Sequence, residues 1–158
     1  MPQGLDSTMI ANKILYAGTP VYQEMEVESD TDIAPGRLLI HGTLEYQCAK
    51  AGALALDVIG VADVMPDRKL TLMQTETAAG TPLDYYDAGD QIRVIRGDVV
   101  VKLLLKSGET LAVGTKVEAA ANGMIQAHTT AYADVGYSLE IRGAPAVCTW
   151  TLVKLTKL

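Results

Sequence analysis

The sequence predicts an all-β protein, a single domain with an antiparallel core and an extended N-terminal segment. Three observations carry this. From Val99 the odd positions Val99, Val101, Leu103 and Leu105 are apolar while Lys102 and Lys106 fall on the even face, a period of two that belongs to a strand. Glycine turns cut the chain into short β-rich runs. Ser107-Gly108 closes one hairpin, and Asn122-Gly123 suits a type I′ turn, whose two central residues both need φ > 0. Finally, Phe is absent and aromatics are 5% of the chain although nearly half of it is apolar. The core is therefore built from Val, Leu, Ile and Ala, which suits a thin sandwich or barrel. The 158 residues make one domain, large enough to bury ~70% of its unfolded surface.

Residues 1–32 form the extended segment. Pro2, Gly4, Gly18 and Pro20 punctuate it, and Ile10, Ile14, Leu15 and Val21 are sparse apolar positions. Thr8 to Tyr16 has weak helical spacing. Glu24, Glu26, Glu28, Asp30 and Asp32 occupy every even position of one run, so an extended chain would project all five carboxylates from one side. That pattern fits a solvated edge strand protected by charge, a ladder facing a basic partner, or a cation site. Calcium loops need a turn glycine among their ligands, and this run has none.

Residues 33–158 form the barrel or sandwich. Pro35-Gly36 is a turn feeding a strand at Arg37–Ile40. Leu44–Cys48 and Leu54–Val61 are further short strands, the latter running into Ala62 with Gly60 marking a kink or bulge. Leu70–Met73 reads as a strand and Gln74–Gly80 as a loop, and Thr81–Asp90 is a turn-rich lead into the central strand. Ala127–Ala133 is a loop, and Asp134–Ile141 a strand. Ala146–Leu158 closes the chain with Cys148, Trp150 and Leu152 on one face and Thr149 and Thr151 on the other. There is also an internal echo. Ile33–Leu39 resembles Leu111–Val117, and Asp57–Val61 resembles Asp134–Tyr137, as if one β unit were used twice.

Several functions are disfavoured. A net charge of −6 and a pI near 4.8 argue against nucleic acid, which needs a basic footprint, and against anionic membrane. No apolar run approaches ~18 residues, and Met1–Asp6 lacks the basic and apolar regions of a signal peptide, so the expectation is a soluble protein. Cys48 and Cys148 could form one disulfide, but without a secretion signal they read as two free buried thiols. His41 and His128 are the only histidines, and neither has a recognisable catalytic partner or zinc spacing. GxSxG, P-loop and GxGxxG motifs are absent, so no catalytic, cofactor or metal residue is assigned. Tyr85-Tyr86 offers stacking, but Asp84, Asp87 and Asp90 would repel a phosphate backbone.

The run Ser107–Val117 has the rhythm of biotinyl and lipoyl carrier domains, but its tip is Asn122-Gly123-Met124 where those carriers place a modifiable lysine. A second set of residues resembles the small capsid decoration, or cement, proteins of tailed bacteriophages. It comprises Ile33–Leu38, Val58–Ala62, Tyr86–Val94 and Ser107–Gly114, ending in Asn122–Gln126. The resemblance implies a β-barrel or β-tulip domain, homotrimers seated on the outer surface of the virion capsid, and arms that lash neighbours together. The partners would be the major capsid protein and further copies of the chain, which is made in the host cytoplasm. On this reading Ile10, Ile14 and Leu15 of the arm fill apolar grooves, while Glu24, Glu26, Glu28, Asp30 and Asp32 face basic groups. The alternatives are a small trimeric β-barrel hydrolase or nucleotide-processing enzyme, and a virion adhesin that binds carbohydrate.

Overall fold

One strand runs through the whole molecule. In the computed structural model, which describes residues 13–28, 33–64, 85–129 and 133–158, β5 spans Gln91–Leu105 and is 15 residues long. Its Val, Ile and Leu content favours a pleated strand, and turns at Gly89 and Gly108, both at positive φ, end it on either side. Around it lie β1 (Leu15–Val27), β2 (Leu38–His41), β3 (Gln47–Lys50), β4 (Gly60–Ala62), β6 (Thr110–Leu111), β7 (Lys116–Ala119), β8 (Ile125–Ala127), β9 (Gly136–Ser138), β10 (Arg142–Gly143) and β11 (Thr149–Leu155).

The nine-stranded sheet runs β1-β3-β2-β4-β5-β11-β9-β7-β8, and β5 pairs additionally with β1 and with β8. Those two extra pairings close the sheet twice. The first half of β5 completes a five-stranded ring with β1, β3, β2 and β4. The second half completes another with β11, β9, β7 and β8. Closure removes most of the free edges that a sheet would otherwise expose.

The rings are two copies of one unit, as the internal echo anticipates. The β2–β4 pairs Leu38↔Val61 and Leu39↔Gly60 recur between β7 and β9 as Lys116↔Tyr137 and Val117↔Gly136. Ile40↔Ala49 and His41↔Cys48 recur as Glu118↔Gln126 and Ala119↔Ile125. The parallel pair Val27↔Cys48 recurs as Leu105↔Ile125, and Val61↔Ile95 as Tyr137↔Lys154. Turn bonds repeat too: Gly36 N donates to Ala62 O at 2.9 Å and Ala62 N to Arg37 O at 3.0 Å, while Gly114 N donates to Ser138 O and Ser138 N to Thr115 O, both at 2.8 Å. So β5 is the last strand of the first unit and the first strand of the second.

Each ring has its own interior. Met25, Val27, Ile33, Leu39, Cys48, Ala62, Tyr86, Ile92 and Val94 fill the first. The larger cluster includes the second ring and the seam, where Leu38, Val61 and Ile95 join Leu104, Met124 and Trp150.

Several expectations need correction. Residues 15–27 are not an arm. β1 pairs antiparallel with β5 from Leu15↔Val101 to Glu26↔Gln91 and closes the first ring, and Leu15 and Tyr16 are extended where Thr8–Tyr16 had helical spacing. The core is not purely antiparallel, since β1–β3 and β5–β8 are parallel. Lys102, on the even face opposite Val101 and Leu103, is 2% exposed, because both faces of β5 are covered there; its Nζ sits 5.3 Å from the Tyr16 ring centroid. The turn at Gly108 does not join paired strands, as β6 pairs with β10. Asn122 and Gly123 do take positive φ, 60° and 71°, but within a single 3-10 turn at Ala121–Gly123. The strand expected at Leu54–Val61 is confined to β4, and that at Asp134–Ile141 to β9. The expected strand Leu70–Met73 lies outside the described residues.

Candidate functional site: the outer faces of the two rings

The residues expected to bind a partner separate into distinct groups. Ile10, Asp30 and Asp32 lie outside the described residues. Ile14 is 1% exposed and its carbonyl accepts from Lys102 N at 2.9 Å, so it packs its own core and is not available to a groove elsewhere. Leu15 is half-buried at the start of β1. Of the acidic run, Glu26 Oε1 accepts from Gln47 Nε2 at 3.1 Å. Glu28 accepts from Thr43 N at 2.7 Å and from the Thr43 hydroxyl. These two carboxylates therefore hold the β2–β3 turn of their own ring. The Thr43 bonds stabilise the charged form and lower the Glu28 pKa from its ordinary value. Among the described members of the run only Glu24 is exposed, opposite Arg93 on β5.

Arg93 organises the surface around it. Its guanidinium bonds Asp63 Oδ2 at 2.6 Å and lies 4.6 Å from the centroid of Tyr22, within cation–π range. Tyr86 OH donates to Asp63 O at 2.7 Å, which ties this corner to the first core. Leu44 and Tyr46, in the turn held by Glu26 and Glu28, are 45% and 54% exposed. On the second ring Val113 is 64% exposed.

One polar pair was not evident from the sequence. Glu118 is fully buried, and its Oε2 lies 3.0 Å from His128 Nδ1. Gln126 Nε2 donates to Oε1 at 2.9 Å and Thr129 N to Oε2 at 3.1 Å. So His128 has a carboxylate partner, contrary to expectation. The signal was present as a lone Glu between Val117 and Ala119, but only the β7–β8 register brings His128 to it. Its other contacts are an amide and a threonine, so the arrangement fastens β8 to β7. His41 is exposed at the end of β2. Cys48 and Cys148 are both free. Burial, and then the nearby Glu28 charge, push the Cys48 thiol up to about 12, which keeps it out of the reactive thiolate form. Among the described residues no group of three or more His, Cys, Asp or Glu is placed to hold a metal.

No family model matches the chain, and no curated protein sequence matches it. Among solved structures, the chain is similar to "The crystal structure of head fiber gp8.5 N base in bacteriophage phi29", with a TM-score of 0.51 and 12% identity, over 89% of this chain and 98% of that one. At that identity the likeness is one of fold: the arrangement of strands recurs with almost none of the side chains retained.

Proposed function

We propose that the protein is a structural component of a tailed-phage virion, a decoration protein that binds the outer surface of the assembled capsid as a homotrimer and stabilises the shell without catalysis. The observation that carries this reading is the shared fold, because the likeness spans nearly all of a protein described as a head fiber base. The turns and strands that resemble cement proteins point the same way. The mechanism is linkage: a protein that binds only the closed shell stabilises it in proportion to its occupancy, and many identical seats multiply the effect. The major capsid protein is the partner.

Purified protein mixed with undecorated capsids should co-sediment with them, appear on their outer surface in negative stain, and raise the temperature at which they release DNA. Capsids that sediment without the protein at saturating concentration would overturn the reading.

A further inference from the structure

The two units present unequal surfaces, and the inequality locates an interface. Inside the chain the first ring packs against the second. Its Pro35–Gly36 turn is buried, and a Cβ at Gly36 would collide with the Trp150 indole and lie 3.3 Å from the Lys102 carbonyl. Leu38, Val61 and Ile95 on the same face are fully buried. The 3-10 turn of the second ring adds a second contact, with Gly123 against Arg37 and Leu38 and its N–H donating to Ala51 O at 2.8 Å.

The strand registers place Val113, Gly114, Lys116, Tyr137 and Lys154 of the second ring where Pro35, Gly36, Leu38, Val61 and Ile95 stand in the first. There the face is open. Val113 is 64% exposed, a Cβ at Gly114 would meet nothing within 4 Å, and Lys116 is exposed. Lys154, held by Asp98, is half-buried. The covering surface has its twin as well. Lys102 and Trp150 correspond to Glu24 and Gln91 on the first ring, both exposed. The 3-10 turn corresponds to the β2–β3 turn that carries exposed Leu44, Glu45 and Tyr46.

Each molecule thus carries one unused half of the seam on each ring. We propose that these halves dock head to tail: the Val113 face of one molecule seats the Glu24–Tyr46 face of another copy of the chain. The chain itself specifies the occupant, since one repeat earlier the equivalent face is covered by the equivalent strands of the next unit. Charge agrees with the fit. Lys116 replaces Leu38, and the turn that would approach it carries Glu45 where the seam has an uncharged 3-10 turn. Such an interface is heterologous, so it closes into a ring or continues as an open chain. It rests on the repeat and stands apart from capsid binding.

The test uses two variants of the full chain, Val113→Glu and Tyr46→Glu, each at an exposed turn position and each checked for an unchanged far-UV spectrum and melting temperature. Wild type should self-associate with concentration in sedimentation equilibrium. Each variant alone should associate about tenfold more weakly or worse, the loss typical of a central contact residue. Mixed in equal amounts they should form a one-to-one dimer and nothing larger, because one retains an intact first-ring face and the other an intact second-ring face. A wild type that stays monomeric at its highest soluble concentration, variants that associate as wild type does, or a mixture that stays monomeric would each overturn the proposal. A wild type that binds capsids but does not self-associate sinks this interface alone, and one that self-associates but does not bind capsids sinks the virion reading alone.

Discussion

Gly36 and Gly114 are twins in the repeat with different surroundings, and the difference can be measured. Both sit at positive φ, 78° and 91°, where an alanine costs about 1–2 kcal/mol. Gly36 is also roofed by Trp150, whereas Gly114 opens onto space. Gly114→Ala should therefore cost only the backbone strain. Gly36→Ala should cost about 1–3 kcal/mol more, the usual penalty of overpacking. Urea denaturation of dilute protein reads both, and equal losses would mean that the seam does not close on Gly36. Glu28 gives a second residue-scale test. Its pKa is lowered from 4.5 by Thr43, so the bond contributes stability above that range and loses it as pH falls through the lowered value. Thr43→Val should reduce stability at neutral pH and make less difference in acid below the carboxylate range. A difference between the two proteins that does not change with pH would refute the linkage.

At the scale of elements, legibility in the sequence followed how the strands are buried. In β5 the odd positions from Val99 line an interior, so the period of two was visible. The repeat was faintly visible because its backbone demands glycine at matching points. A Cβ at Gly60 would crowd the Ile95 carbonyl, and one at Gly136 the Lys154 carbonyl, and these carbonyls are themselves twins. The positions around them diverged to polar residues on the open face, such as Lys116 for Leu38, and hid the rest. β1 reads as an arm in the sequence because only Met25 and Val27 among its 13 residues are buried. It holds its place by backbone pairing, which leaves no mark in hydropathy. Pro20 suits it: Glu26 N bonds Tyr46 O while Val27 N bonds Asp90 O, so even-numbered positions face away from β5, where a missing N–H leaves no ladder bond unmade. The candidate faces are half legible, since the acidic run stands out in the sequence but Glu26 and Glu28 turn inward to their own turn. It follows that deleting residues 1–20 removes the buried Ile14 and the pairing of residues 15–20 with β5. Loss of a buried Ile side chain alone costs about 2–5 kcal/mol, so the deletion should lower the urea midpoint sharply. A midpoint equal to that of the full chain would restore the arm.

For the whole molecule, the shared strand decides how it unfolds. Two rings that merely touched could melt separately, but β5 supplies a wall to each, and cutting it from one exposes the edge of the other. The seam adds to the coupling: Leu38, Val61 and Ile95 of the first ring lie in one cluster with Leu104, Met124 and Trp150. Emptying such a contact costs about 3–5 kcal/mol for a buried Trp, a large share of the ~5–15 kcal/mol that hold a domain together. A partly folded chain with one ring intact would forfeit the seam as well as half of β5, so it should not accumulate. Trp150 is the only tryptophan and is 3% exposed at this seam, so its fluorescence reports the contact directly. In dilute protein the urea transition followed by Trp150 emission should coincide with that followed by far-UV circular dichroism, with one midpoint and one slope. Trp150 emission shifting at lower urea than the loss of strand signal would mean that the seam opens while both rings stand, and the coupling through β5 would then be too weak to make them one cooperative unit.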